Sequence, residues 1–111
     1  MKYQVYVISE AEDDLFEIYQ YVAKNDSIAR AKKLLYKLEE ACLSLSELPN
    51  RGHVPPELER VAVHDYLEIH YKPYRIIYQI ISNRVYIHGV LDGRRDLGEL
   101  LQKRLLRVGS T

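Results

Sequence analysis

The spacing of apolar residues changes early in the chain from the period of a strand to that of a helix. Apolar and polar positions alternate over residues 2 to 8, which predicts a first strand. Ser9 and Glu12 have the spacing of a capping box, in which a hydroxyl and a carboxylate each satisfy an unpaired amide at a helix start. A first helix is therefore predicted from Ser9 to about Lys24.

A second helical stretch follows the polar break at Asn25 and Asp26. Either Asp26 or Ser27 can cap this helix, which is predicted to continue to about Glu47. Because the break is short, the two helices are predicted to form an antiparallel hairpin. The apolar stripe of the second helix consists of Ala31, Leu34, Leu35, Leu38, Cys42, Leu45 and Leu48.

Period-two alternation returns after a loop rich in proline and glycine. It predicts three strands, over residues 61–71, 74–81 and 84–91, with turns at Lys72–Pro73 and Ser82–Asn83. Proline fits so tight a turn only with a cis peptide bond. The turns predict a register of Ile81 with Arg84, Gln79 with Tyr86, Ile77 with His88, Arg75 with Val90, His70 with Arg75 and Glu68 with Ile77.

The alternation also divides the predicted sheet into an apolar and a polar face. The apolar face is predicted to lie under the helices and holds Leu67, Ile69, Tyr71, Tyr74, Ile76, Tyr78, Ile80, Val85, Ile87 and Leu91. The opposite face holds Tyr66, Glu68, His70, Arg75, Gln79, Tyr86 and His88. A polar sheet face is by default only a solvated face.

Composition restricts the classes of protein to which the chain can belong. A chain of 111 residues with 47% hydrophobic content can build one core, so a single domain over residues 1–111 is expected. No apolar run is long enough to span a bilayer, no signal peptide is recognisable, and the single Cys42 has no disulfide partner, which together predict a cytoplasmic protein. His53 and His64 have no partner at ligand spacing, so neither a metal site nor a cofactor is predicted.

The net charge of zero hides an asymmetry along the chain. Residues 1–48 carry six Lys and Arg against nine Asp and Glu, whereas residues 49–111 carry ten against seven. The basic surplus therefore lies in the C-terminal half, where it can attract an anionic partner or an acidic protein surface.

The polar strip of the sheet has the side chains for acid–base chemistry. Histidine can transfer protons near neutral pH, glutamate can act as a base, and arginine can hold a phosphate with two hydrogen bonds. Glu68, Arg75 and His88 could thus support cleavage of a phosphodiester by a ribose 2′-hydroxyl. The same set would suit an ion-paired protein interface equally well.

The order of these elements resembles the toxins of the RelE/ParE superfamily, the stable halves of type II toxin–antitoxin (plasmid stabilisation) modules. The resemblance rests on the strand, the helical hairpin, Leu48–Pro49 with Gly52 beyond it, the segment YRIIYQI, and GRRDL before a terminal helix. It implies an α+β fold, in which an N-terminal strand and an antiparallel helical hairpin pack on one face of a small, curved, mainly antiparallel sheet with a short C-terminal helix. It also implies neutralisation by a cognate antitoxin, in a hetero-oligomeric complex.

The superfamily divides by target. RelE-like members cut messenger RNA on the ribosome with a set of basic residues, among which Arg75 and Arg95 match the strand arginine and the later arginine. Tyr66 and Glu68 stand where strand lysines are expected, and Leu101 stands where a tyrosine is expected. The catalytic set that the RelE-like reading implies is Arg75, Arg95, His88 and Glu68, with Glu57 as a substitute for Glu68.

ParE-like members poison DNA gyrase without enzymatic chemistry, and they share the long paired helices, near-neutral charge and arginine-bearing C-terminal segment of this chain. We therefore predict a ParE-like toxin. A RelE-like ribonuclease and an inactive member that only binds its antitoxin remain the alternatives. The residues predicted to bind the target or antitoxin are Arg75, Arg94, Arg95, Lys103, Arg104 and Arg107.

Overall fold

The computed structural model describes residues 2–106, which form a sheet with helices on both of its faces. Within this range, no helix is long and apolar enough to cross a membrane. The strands are β1 (Gln4–Val7), β2 (Leu67–Tyr71), β3 (Tyr74–Ile81) and β4 (Arg84–Asp92). The α-helices are α1 (Ser9–Asn25), α2 (Ile28–Leu43), α3 (Pro56–Glu59) and α4 (Gly98–Leu101), with 3-10 turns at Ser44–Ser46 and Pro49–Arg51 and a π-helical segment at Gln102–Leu106.

The strands form one mixed sheet in the order β1-β4-β3-β2. β1 lies parallel to β4 at one edge, and the other neighbouring strands are antiparallel. The α1–α2 hairpin crosses from β1 back to the sheet and covers one face. The predicted α+β architecture is confirmed, including the hairpin, the N-terminal strand and the short C-terminal helix.

The main core lies between the helical hairpin and the face that was predicted to be apolar. Ile76, Tyr78 and Ile87 are fully buried there, and Ile80 packs against the same cluster. The hairpin and the 3-10 turn after it contribute buried small and aliphatic side chains to this core, namely Ala11, Leu15, Leu38, Cys42 and Leu45. Burial raises the pKa of the Cys42 thiol to about 12, which keeps it protonated and makes it a packing residue.

A β-bulge changes the register in the middle of the β3–β4 hairpin. Near the turn the prediction is correct, with Gln79 opposite Tyr86, but beyond the bulge Ile77 lies opposite Gly89, and not opposite His88. His88 is the extra residue of β4, and an extra residue reverses the alternation of the strand beyond it. Arg75 therefore lies opposite Leu91, and the predicted pairing with Val90 is wrong.

The reversed alternation builds a second core on the other face of the sheet. Val90 joins the core under the hairpin, while Leu91 faces the opposite side, so the predicted face of Leu91 is wrong. Part of the face that was predicted to be polar is thus covered by α3 and α4. The second cluster consists of Leu58, Ile77, Leu91, Leu97 and Leu101.

The start of α1 and the end of α2 differ from the prediction. The cap of α1 is Ile8, with no side-chain hydrogen bond, so the capping box at Ser9 is wrong. Ser27 does cap α2, since its hydroxyl accepts a hydrogen bond from the Arg30 amide. The second helix ends at Leu43, and Leu48, in a left-handed backbone conformation, is exposed rather than part of the apolar stripe.

Gly52 is required where the loop after α2 passes over the sheet. Its amide donates to the Tyr78 hydroxyl at 3.1 Å, and that hydroxyl donates to the Pro49 carbonyl at 2.5 Å. A Cβ at Gly52 would overlap the Tyr78 hydroxyl and the Glu68 carbonyl oxygen. The loop can therefore approach β2 only because residue 52 has no side chain.

We expect Gly52→Ala to lower the free energy of unfolding by about 1–3 kcal/mol, because the methyl group must push a backbone carbonyl aside. Urea denaturation would measure the change. Gly98→Ala is the matched control, since a Cβ there meets its first neighbour at an ordinary 3.5 Å. Equal stability of Gly52→Ala and the parent chain would contradict this reading of the loop.

Candidate functional site

Arg75 lies at the centre of a carboxylate cluster on the second face of the sheet. Its Nη1 and Nη2 donate to the two carboxylate oxygens of Glu57, each at 2.7 Å. Its Nε donates to Glu68 Oε1 at 2.6 Å. The Arg75 side chain is 12% exposed and that of Glu68 is 2% exposed, so the group is largely shielded from water.

Electrostatics favours the ionised forms of Arg75 and Glu57. The hydrogen bonds that Arg75 donates to Glu57 are the main cause of the raised pKa of Arg75, and the hydrogen bond to Glu68 adds to it. The hydrogen bonds from Arg75 lower the pKa of Glu57, against the opposing effect of burial. The guanidinium is thus held in place and neutralised by the protein's own carboxylates.

Two histidines complete the cluster on its solvent side. His53 Nε2 lies 3.0 Å from Glu68 Oε2, and His70 Nε2 lies 3.4 Å from the same oxygen. The strand register correctly predicted that Glu68, His70 and Arg75 would meet, since His70 pairs with Arg75 across β2 and β3. His53 was missed as a member of this group, because it comes from the loop after α2.

His88 belongs to a second group on the same sheet. Its Nε2 lies 3.1 Å from Gln79 Oε1, and its ring meets that of Tyr66 edge-on at 5.3 Å. The Tyr66 hydroxyl donates to the Leu105 carbonyl in the C-terminal segment. His88 is the extra residue of the bulge, and Gln79 of β3 and Tyr66 orient its ring.

The turn after β4 carries the two adjacent arginines of the GRRDL segment. Arg94 donates to both oxygens of Asp92, at 2.9 and 2.6 Å, and this interaction lowers the pKa of Asp92 to about 2. The Arg94 side chain nevertheless remains 71% exposed, and Arg95 is also exposed. Both line a groove of about 420 Å³ between α1 and the ends of β3 and β4, together with Tyr21 and Tyr74.

An ion pair between Arg104 and Asp14 joins the C-terminal segment to α1. Its Nη1 and Nη2 donate to the Asp14 carboxylate at 2.6 and 3.1 Å, and Asp14 Oδ2 also accepts a hydrogen bond from the Val90 amide at 3.0 Å. Asp14 is buried, and Arg104 has a raised pKa because of this hydrogen-bonded pair. Lys103 is exposed on the same segment, and Arg107 lies outside the described residues.

The predicted basic residues therefore fall into two physical classes. Arg75 and Arg104 are largely shielded and paired with carboxylates, which suits them to structural roles. Arg94, Arg95 and Lys103 present charge to solvent and can contact a partner directly. This division follows from burial and ion pairing, neither of which the sequence pattern predicts.

Solved structures confirm the fold. One is a chromosomal ParDE toxin–antitoxin system from P. aeruginosa, with a TM-score of 0.67 and 16% identity over 80% of this chain and 94% of that one. Another is the RelBE2 toxin–antitoxin complex from Mycobacterium tuberculosis, with a TM-score of 0.62 and 22% identity over 83% and 92% of the two chains. A mutant E. coli toxin RelE in the free state has a TM-score of 0.62 and 16% identity over 97% and 99%.

The similar solved structures do not distinguish the two branches of this shared fold. The similar structures include both ParE-type and RelE-type proteins, and no curated protein sequence gives a significant match. The family model of the ParE toxin of the type II toxin–antitoxin system parDE, however, matches residues 6–97, from β1 to the segment before α4. Because this match spans most of the chain, the protein belongs to the ParE toxin family.

Proposed function

We propose that this toxin inhibits DNA gyrase and is neutralised by a cognate antitoxin. The main support is the state of Arg75, the arginine that a RelE-like ribonuclease would use on its substrate. A cation that stabilises a phosphoryl transition state must be directed at the developing charge. Here the guanidinium is directed at Glu57 and Glu68, whose two negative charges would repel a phosphodiester.

The exposed cations support binding rather than catalysis. Arg94 and Arg95 border the groove beside α1, and Lys103 is exposed on the C-terminal segment. Charges at the rim of an interface act chiefly through the rate of association and the choice of partner. We therefore assign these three residues to recognition of the gyrase surface.

The antitoxin proposal rests on the family and on charge. The RelBE2 structure is a toxin–antitoxin complex and the ParDE structure is of a toxin–antitoxin system, and we infer that this chain also assembles with an antitoxin. The C-terminal half, residues 49–111, carries the basic surplus. An acidic, amphipathic antitoxin segment over this half would bring complementary charge and cover the Arg94–Arg95 groove.

A gyrase supercoiling assay with the isolated toxin tests the proposal. We expect inhibition that the cognate antitoxin reverses, and a loss of potency of about 10-fold for Arg95→Ala or Lys103→Ala, since a hydrogen bond from a charged group contributes about 1.5 kcal/mol or more. Lys32→Ala, an exposed position on α2, is the matched control and should keep full potency. His88→Ala should also keep it, because no proton is transferred.

Translation assays in parallel provide the outcome that would overturn the proposal. A RelE-like ribonuclease would cleave messenger RNA while gyrase remained uninhibited. In that case His88→Ala or Glu68→Ala would lower cleavage by about 10²-fold to 10⁴-fold, the usual effect of losing a proton-transfer group. Antitoxin binding without either activity would instead identify an inactive member of the family.

A further inference from the structure

Three metal-binding side chains converge on the second face of the sheet. His53 Nε2 and His70 Nε2 lie 3.0 and 3.4 Å from Glu68 Oε2, and the three ligand atoms all lie within 4.8 Å of one another. Ligands of a tetrahedral zinc ion, at bond lengths near 2.0–2.2 Å, are separated from each other by about 3.4 Å. One of the two carboxylate–imidazole distances equals that value and the other is slightly shorter.

The carboxylate of this group is already oriented for a cation. Arg75 Nε donates to Glu68 Oε1 at 2.6 Å, which fixes the carboxylate plane and leaves Oε2 directed at the two imidazoles. Hydrogen bonds to the outer side of a metal ligand are typical of metal sites and raise the affinity for the metal. The buried position of Glu68 also limits its alternative orientations.

The backbone holds the two histidines in matching positions. The His53 amide donates to the Glu68 carbonyl at 3.1 Å, and the Glu68 amide donates to the His53 carbonyl at 2.7 Å. His70 lies two residues beyond Glu68 on β2, so both side chains point to the same face. The site therefore needs little reorganisation, and its entropic cost is largely met by folding.

Charge and access also fit a cation. Glu57 and Glu68 together carry two negative charges against the single positive charge of Arg75, which leaves one negative charge in the cluster. The His53 and His70 side chains are 59% and 44% exposed, so an ion can enter from solvent and keep water in its remaining coordination position. Two imidazoles and one carboxylate favour zinc and its chemical relatives over magnesium or calcium.

We propose that His53, Glu68 and His70 bind one divalent transition-metal ion of the zinc class. The spacing of these residues in the sequence gives no sign of the site, because the loop that carries His53 meets β2 only in the folded chain. The bound ion links that loop to the sheet. Since the unfolded chain lacks the site, metal binding stabilises the folded state.

Calorimetric titration of the full chain, without a histidine tag, with Zn²⁺ tests this proposal. We expect one ion per chain, a higher melting temperature in Zn²⁺ than in chelator, and no such shift in Mg²⁺. Co²⁺ should give the visible absorption of a tetrahedral complex. His53→Ala and His70→Ala should each weaken binding by more than about 100-fold, since even outer-shell partners of metal ligands affect affinity by 10–100-fold.

His64→Ala is the matched control, because it removes an exposed histidine from the loop before β2 and leaves the three ligands intact. It should bind Zn²⁺ like the parent chain. His53→Ala and His70→Ala each remove an exposed side chain. A cooperative unfolding transition of each variant in chelator would verify that it is folded. Absence of Zn²⁺ binding to the parent chain, or equal loss in His53→Ala and His64→Ala, would overturn the proposal and leave only the hydrogen-bonded cluster.

Discussion

Replacement of Arg75 by alanine is expected to lower the free energy of unfolding by about 3–5 kcal/mol, the usual cost of removing one partner from a buried ion pair. The variant leaves Glu57 and Glu68 facing each other in a shielded site without the guanidinium that joins them. Domains of this size are stable by about 5–15 kcal/mol in total, so the variant would lie close to unfolding. Chemical denaturation at neutral pH would measure the difference.

Arg94→Ala is the matched control for this prediction. It also removes an arginine that donates twice to a carboxylate, but the Arg94 side chain is 71% exposed and water can replace it. Exposed ion pairs contribute about 0–1 kcal/mol. Equal losses in the two variants would show that burial of the Arg75 cluster does not determine its contribution.

The dependence on pH provides a second test of the Arg75 ion pair. The folded-state pKa of Glu57 lies below its ordinary value of 4.5. The contribution of ionised Glu57 to the free energy of unfolding is therefore fully present above pH 4.5 and is lost as the pH falls through the folded-state pKa. In Arg75→Ala the hydrogen bonds from the guanidinium are gone, so the pKa of Glu57 would be higher than in the parent. The stability difference between the parent and the variant should therefore narrow as the pH falls below about 4.5. A constant difference would contradict the ion-pair interpretation.

The regular parts of the sheet were predictable, because the alternation of apolar and polar residues shows which face of the sheet each side chain lies on. The hairpin register near Ser82 and Asn83 is correct, and so is the β2–β3 pairing that brings Glu68, His70 and Arg75 together. The predicted β3–β4 register fails beyond the bulge. A sequence pattern does not show that one strand contains an extra residue, because that residue has no distinctive polarity. Gly89 lies next to the bulged residue, and a glycine inside a strand can mark a bulge.

The site as a whole was not predictable, because its remaining members come from distant segments. Glu57 reaches Arg75 from α3, and His53 reaches Glu68 from the preceding loop. Neither contact follows from local periodicity. The sequence shows the charge of each side chain, but only the fold shows that Arg75 is neutralised and that Arg95 is exposed, a difference that separates a structural arginine from one that can bind a partner.

Asp14 is the second position where a single replacement should have a large effect. Its carboxylate accepts hydrogen bonds from Arg104 and from the buried Val90 amide, so it joins α1, β4 and the C-terminal segment. Asp14→Ala would leave a shielded guanidinium and a backbone amide without this acceptor. We expect a loss of about 3–5 kcal/mol in the free energy of unfolding. Asp13→Ala, at the adjacent exposed position, should stay within about 0.5 kcal/mol of the parent.

A double-mutant cycle separates the two functions of the Asp14 carboxylate. Arg104→Ala removes the ion pair with Asp14 and leaves the Val90 amide bonded, so it should destabilise the protein less than Asp14→Ala does. If the pair interacts as the distances of 2.6 and 3.1 Å indicate, the double variant should be more stable than the sum of the single losses predicts. An interaction energy of about 1–3 kcal/mol is expected, within the range for residues in contact. Strictly additive losses would mean that Arg104 does not hold the C-terminal segment against α1.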